Sequence, residues 1–193
     1  FVVGAQVFGD LSTCGFGAYA ELASVPESAL APVPSSLSLE QAGVVPQAGG
    51  LAVTALRRRR ARLAGERVLV NGAGGGVGTF AVQMAKAAGA QVTAVDAAHK
   101  LDVLRALGAD RVVDYAREDI ARDGSTYDLI VDIVATRSVA DYRRMLAPGG
   151  ECGLLGGDVG RIVRLMATGP LISAFGGKRI TVPIWRPNDP DDV

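Results

Sequence analysis

An open, doubly wound parallel α/β sheet is the fold class this sequence predicts, preceded by a shorter β-rich segment. Three observations carry that expectation. From Glu66 onward, apolar strand-like runs alternate with helical ones, the order that builds a parallel sheet through right-handed crossovers. The first such run, Val68-Leu69-Val70-Asn71, meets a glycine turn, Gly72 to Gly78, that opens straight into a helical pattern from Thr79 to Lys86. The next run, Gln91 to Val95, ends in an acid, Asp96.

Taken in chain order, Phe1 to Gly9 reads as strand, turn, strand, and residues 15–25 alternate until Pro26 closes them, the pattern of a small sheet or barrel. Ser38 with Gln41 three residues on is a capping-box spacing that starts a helix at Leu39. A second helix is expected over residues 47–62. The alternating part then gives strand 67–71, helix 76–88, strand 91–95, helix 98–107, strand 111–114, strand 128–134, helix 138–146, strand 151–155 and a last strand 179–184. Gly89 and Gly108 stand where C′ glycines end helices. The chain opens on Phe1 rather than Met, and Pro187 to Val193 has the cap residues, proline and acids of a helix start with no helix after it. Both ends read as cut from something longer.

Bulk composition narrows the function classes. The 193 residues carry a formal net charge of zero, so no global field draws the chain to nucleic acid or an anionic membrane. The one basic run, Arg57 to Arg60, suits a solvated helix C-terminus, with a partner or phosphate contact as the alternative. Two cysteines, Cys14 and Cys152, can build neither a disulfide framework nor a paired-cysteine metal site. No apolar run reaches the roughly 18 residues of a membrane span, and no leader pattern opens the chain. A cytoplasmic protein is expected.

The glycine turn carries the chemistry. Glycine lets backbone approach a pyrophosphate closely, and the free N–H groups and positive dipole end of the following helix attract the anion. Because this turn follows an apolar strand and precedes a second strand ending in an acid, the reading is a dinucleotide site, with Asp96 placed to read a ribose. Methyltransferases that use S-adenosylmethionine share a glycine loop and an acid ending the second strand, and Leu146-Ala147-Pro148-Gly149-Gly150 is similar to their turn before the fifth strand. Their first strand usually ends in an acid, where this chain has Asn71.

Asn71 to Gly78, Gly108 to Tyr115 and Tyr127 to Asp132, with Gly17-Ala18-Tyr19-Ala20-Glu21, Val25-Pro26, Pro34 to Ala42 and Val45 to Gly49 upstream, resemble the medium-chain dehydrogenase/reductase superfamily. Within it they are most similar to the zinc-free, quinone-oxidoreductase-like branch. The resemblance implies a Rossmann cofactor domain over residues 36–193, preceded at 1–35 by the last part of a GroES-like catalytic domain. It implies NADP(H) or NAD(H) as cofactor and hydride transfer to a quinone, carbonyl or activated alkene. A dinucleotide-binding fragment without turnover is the alternative, and a methyltransferase the third. Most substrate-facing groups would lie outside these residues, and no catalytic residue is named within them.

For the cofactor, Gly72, Gly75, Gly76, Val77 and Gly78 are expected to cradle the pyrophosphate. Asp96 at the end of the second strand favours NAD(H), since its charge repels a 2′-phosphate. Lys100 and Tyr115 match the lysine and tyrosine with which NADPH-using relatives hold that phosphate. Lys100 can instead pair with Asp96 four residues earlier, and Tyr115 can be a loop aromatic. Val134 to Thr136 and Leu155 to Gly157, Val134 and Gly156 foremost, are expected to approach adenosine and nicotinamide, and residues near Val182-Pro183 to border the nicotinamide. Where the zinc branch has its third ligand this chain has Gln47, and its one histidine, His99, falls on the adenosine side, so no metal is expected. Cys152 reads as inert core. Pairing of two copies through the edge near Arg179 to Ile184 is a further implication of the resemblance.

Overall fold

The computed structural model describes residues 1–57, 59, 62–158, 160 and 177–188. They divide into two units, residues 1–51 with 184–193 and residues 52–183. The sequence features at Arg58 and Arg60 and at the tail beyond Asn188 lie outside the described residues.

In the first unit, β1 (Val7–Phe8) pairs antiparallel with β2 (Ala31–Pro32). The alternating stretch 15–25 forms no strand. Gly15, Phe16 and Gly17 all have positive φ, which breaks an extended run at its start. Alternate side chains are also not gathered on a buried face, since Phe16, Tyr19 and Leu22 are 71%, 108% and 90% exposed. Alternation becomes a strand only against a partner. The helix α1 (Leu39–Gly43) begins where expected, with a complete capping box: the Ser38 N–H donates to Gln41 Oε1 at 2.9 Å and the Gln41 N–H to Ser38 Oγ at 3.2 Å. The helix α2 runs Val45–Arg57, two residues earlier than expected because Pro46 is accommodated in a first turn, where its missing N–H costs nothing. Near the other end of the unit, Asn188 bonds the Asp10 backbone twice, accepting from its N–H and donating to its carbonyl.

The second unit is a six-stranded sheet in the order β5-β4-β3-β6-β7-β8, every neighbouring pair parallel. The strands are β3 (Arg67–Asn71), β4 (Gln91–Asp96), β5 (Arg111–Asp114), β6 (Tyr127–Asp132), β7 (Leu146–Leu154) and β8 (Arg179–Thr181). Between them run α3 (Gly76–Ala87), α4 (Leu101–Ala106) and α5 (Val139–Met145). Residues 98–100 form a 3-10 turn ahead of α4, so the expected helix 98–107 is shorter and split. Period-2 alternation sends Val68 and Val70 to one face and Leu69 to the other. Helix α3 covers the first with Ala81, Val82 and Ala85, and α5 covers the second with Tyr142 and Met145. Both faces are therefore dry, which is why the strands read as continuous apolar runs.

Three strands of the sheet depart from expectation, β8 by ending at Thr181 rather than residue 184. β6 stops at Asp132 rather than residue 134, because Asp132 turns the chain, as described below. β7 starts early, and its pairing jumps from Tyr127↔Leu146 to Leu129↔Glu151, leaving Ala147 to Gly150 as an excursion within the ladder. A Cβ at Gly150 would lie 2.9 Å from the carbonyl oxygens of Ala147 and Tyr127, so the excursion needs glycine there. Arg59 braces it, donating to the Gly149 carbonyl and, at 2.8 Å, to Glu66 Oε1. This member of the basic run is thus a structural brace.

Candidate functional site

The C-terminal ends of β3, β4, β6 and β7 carry the candidate site. Beyond Asn71 the chain turns at Gly72 with φ of 82°. The N–H groups of Gly72 and Ala73 donate to the Val95 carbonyl at 3.0 and 3.1 Å, fastening the turn to β4. The Gly75 N–H closes it by donating to the Gly72 carbonyl. Helix α3 then starts so close beneath that a Cβ on Gly78 would meet the Gly72 carbonyl oxygen and lie 2.5 Å from the Ala73 carbonyl oxygen.

The N-cap of α3 is Gly75, with no side-chain cap. In the same chain α1 and α5 have complete capping boxes built on Ser38 and Ser138. Helix α3 alone of these three presents the N–H groups of Gly76, Val77 and Gly78 with neither an intrahelical acceptor nor a serine oxygen. That arrangement, with the positive end of the helix dipole, fits an anion such as a pyrophosphate.

Asp96 is buried at the end of β4. Its Oδ2 accepts from the Gly74 N–H at 2.7 Å, and its Oδ1 from the Ala97 N–H at 2.8 Å and from Lys100 Nζ at 3.2 Å. Burial pushes the carboxyl up, but the Ala97 and Gly74 N–H groups and then Lys100 outweigh it and hold Asp96 below the usual carboxylate range. Asp96 thus anchors the glycine turn as well as facing the site. Gly74 was not singled out in the sequence; a Cβ there would lie 2.5 Å from Lys100 Cδ and 3.1 Å from Asp96 Oδ2. The pairing of Lys100 with Asp96 anticipated from their spacing is present. The Tyr115 N–H donates to the Asp96 carbonyl at 3.3 Å, while its side chain is exposed. His99 lies exposed in the 3-10 turn.

On the other side of β3, the loops after β6 and β7 touch backbone to backbone. A Cβ on Gly156 would meet the Ile133 carbonyl oxygen, and one on Gly157 would lie 2.7 Å from Val134 O and from Ala135 Cβ. Val134 leans on the glycine turn, its Cγ2 being 2.8 Å from where a Cβ on Gly72 would stand. Val134 therefore borders the turn's far side, while Gly156 lies against Ile133. Cys152 is fully buried, and burial first, then Asp132 and Glu151, push its thiol well up, which makes it inert core as expected. Gln47 lies in the first turn of α2.

Sequence reasoning passed over the link between Asn71 and Asp132. They are register partners across β3 and β6, and Asn71 Nδ2 donates to Asp132 Oδ1 at 2.9 Å. The available signal was two apolar strands each ending in a buried-type polar residue.

The carboxylates give the fold a pH dependence. Asp96 and Asp110, the latter held down by Lys86 and the Val92 N–H, have folded pKa values below their unfolded ones. Their stabilisation is therefore full above the unfolded value of about 4 and lost as pH falls through the folded value. Thermal melts should be flat from about pH 6 to 5 and fall steadily below about pH 4. Asp96→Asn should make that fall shallower, and a melting temperature rising on acidification would contradict it.

Among the described residues no three His, Cys, Asp or Glu side chains come together in a way that could hold a metal ion. These residues do not fit a zinc centre. Among them, too, no helix is long and apolar enough to cross a membrane.

Comparison with known proteins agrees with the geometry. The family model described as zinc-binding dehydrogenase matches residues 76–187. The trans-enoyl reductase pgmF of Aspergillus terreus is 36% identical over 135 residues, 68% of this chain and 38% of that protein. The quinone oxidoreductase of Pseudomonas aeruginosa is 34% identical over 146 residues, 72% of this chain and 45% of that protein. The crystal structure of a Pseudomonas syringae pv. Tomato DC3000 quinone oxidoreductase superposes with a TM-score of 0.66 at 27% identity, covering 83% of this chain and 51% of that one. The chain thus spans less than half the length of these two curated relatives. With its parallel sheet, its glycine turn and a family match over most of the second unit, the chain belongs to the zinc-binding dehydrogenase family of the medium-chain dehydrogenase/reductase superfamily.

Proposed function

We propose that this chain is the cofactor-binding part of a reductase that moves a hydride between NAD(P)H and an activated alkene, a quinone or a related carbonyl compound. The observation that carries the reading is the uncapped N-terminus of α3 set over a glycine turn that Asp96 anchors. Relatives named as enoyl, alkenal and quinone reductases support the substrate range. The cofactor is a nicotinamide dinucleotide, and membership of this family leaves methyl transfer behind as a reading.

In this reading residues 1–35 belong to the substrate-side domain and 36–193 to the cofactor domain. The N–H groups of Gly76, Val77 and Gly78 hold the pyrophosphate, and Gly72 and Gly75 keep side chains out of its way. Asp96, with Lys100 and Tyr115 beside it, reads the adenosine ribose. Val134 and Gly156 wall the opposite nucleotide. The bound dinucleotide supplies the hydride; these residues orient it and exclude water. The reaction is proposed to run without zinc, its substrate oxygen polarised by hydrogen-bond donors.

Lys100 gives Asp96 a dual character. While paired, its ammonium is committed to the carboxylate; turned outward, it meets a 2′-phosphate. Asp96→Ser removes the repelling charge and frees Lys100, so the ratio of NADP⁺ to NAD⁺ affinity is expected to rise by about tenfold, a change of about 1.4 kcal/mol. Calorimetric titration of both chains with each cofactor measures it. An unchanged ratio would sink the assignment of Asp96. Oxidation of NADPH with a quinone by the same chain separates a working reductase from a module that only holds cofactor.

A further inference from the structure

A buried carboxylate at the junction of β3 and β6 has no part in the cofactor contacts assigned so far. Asp132 is 1% exposed. Its Oδ1 accepts from Asn71 Nδ2 at 2.9 Å and from the N–H groups of Val134 at 2.9 Å and Ala135 at 2.7 Å. Its Oδ2 accepts from the Tyr142 hydroxyl at 2.9 Å. Burial, and then the neighbouring Asp132, push the Tyr142 phenol far up, so this hydroxyl keeps its proton and donates.

A carboxylate is a costly way to fill a dry strand end, and an apolar residue of the same size would serve if only packing were needed. What distinguishes Asp132 is where its donors come from. Asn71 immediately precedes the glycine turn. Val134 and Ala135 form the loop after β6, and Tyr142 lies on α5. Ala135 sits in the left-handed region, with φ of 49°, which disfavours any side chain. The bond from its N–H to Oδ1 offsets that strain. Held in this conformation, the loop presents the Val134 carbonyl to Gly157 and the Val134 side chain to Gly72. One carboxylate thus sets the loop after β6 and through it the loop after β7, whereas the glycine turn after β3 keeps its own fastening to Val95 and Asp96.

The sheet order says which half of the ligand those loops serve. β4 flanks β3 on one side and β6 on the other. A dinucleotide with its pyrophosphate at the start of α3 lays one nucleotide over β4, beside Asp96, and the other over β6 and β7. We propose, resting on the cofactor reading above, that Asp132 is a positioning residue for the nicotinamide half. It holds residues 133–137 in the one conformation that receives the nicotinamide nucleotide, and it leaves the adenosine half unaffected.

The test compares whole cofactor with half cofactor. Calorimetry is run on the full chain and on Asp132→Ala with NADPH and 2′,5′-ADP, and with NADH and ADP. The variant is expected to lose about tenfold or more in affinity for the whole dinucleotide, and to bind the adenosine-side fragment within about twofold of the unaltered chain. Asp132→Asn, whose amide oxygen still accepts from Asn71, Val134 and Ala135, is expected to regain most of the dinucleotide affinity. If Asp132→Ala does not fold, Asp132→Ser, with room for a water in the vacated space, makes the same comparison. Equal losses for whole and half ligand would reduce Asp132 to a purely structural residue and overturn the proposal, as would no loss for either. Failure of the unaltered chain to bind any dinucleotide would instead overturn the cofactor reading, and this proposal with it.

Discussion

Gly78→Ala is expected to cost about 3 kcal/mol or more of stability and to abolish dinucleotide binding. The new methyl would stand 2.5 Å from the Ala73 carbonyl oxygen and collide with that of Gly72. Both oxygens belong to a turn pinned by hydrogen bonds to the Val95 carbonyl and to Asp96, so neither can retreat without unfastening the turn. The alternative is for α3 to shift outward, which exposes Ala81, Val82 and Ala85, all fully buried, and moves the N–H groups that face the phosphate. Gly75→Ala is the control. Its nearest neighbour would be the Gly72 carbonyl at 3.5 Å, and its φ of −90° suits any residue. Urea unfolding should separate the two by at least about 2 kcal/mol, and equal midpoints would refute the close-approach argument.

Gly157→Ala is expected to cost about 2–5 kcal/mol, part backbone strain and part overlap, and to weaken dinucleotide binding. With φ of 120° the residue lies where side chains are rarely tolerated, and its Cβ would lie 2.7 Å from both Ala135 Cβ and Val134 O. Ala135→Gly in the same chain removes one of those contacts and relieves the left-handed strain at 135, yet leaves the carbonyl. The double variant should therefore recover only part of the loss. Full recovery, measured by unfolding and by calorimetry, would show that the backbone contact with Val134 carries no weight.

The sheet was legible because its signals are local and repeated. Strand β3 falls at residues 67–71 as expected, since an apolar run bounded by Glu66 and a glycine turn admits no other reading. The capping box at Ser38 fixed the start of α1 for the same reason. What could not be read was anything that depends on a partner distant in sequence. Residues 15–25 alternate like a strand, but alternation does not say whether a neighbouring strand is there to complete the ladder. The end of β6 was overrun because Ile133 and Val134 are good strand residues. Only the captured N–H groups of Val134 and Ala135, 2.9 and 2.7 Å from Asp132, bend the chain away.

At the site the residue types were legible and their couplings were not. The glycines, Asp96, Lys100 and Tyr115 were all visible, and they do gather at the ends of β3, β4 and β5. That Asp96 spends one oxygen on the Gly74 N–H requires knowing that the two strand ends lie side by side. The same holds for Asn71 and Asp132, sixty-one positions apart.

The bare start of α3 reaches beyond recognition. Helices α1 and α5 carry serines that finish their first turns, and α3 carries glycine. Under the proposed function the ligand's phosphate is the cap this helix lacks, so the helix is completed by a molecule drawn from solution rather than by its own sequence. Folding and cofactor binding are then linked by mass action, so the melting temperature of the chain is expected to climb with the concentration of dinucleotide supplied.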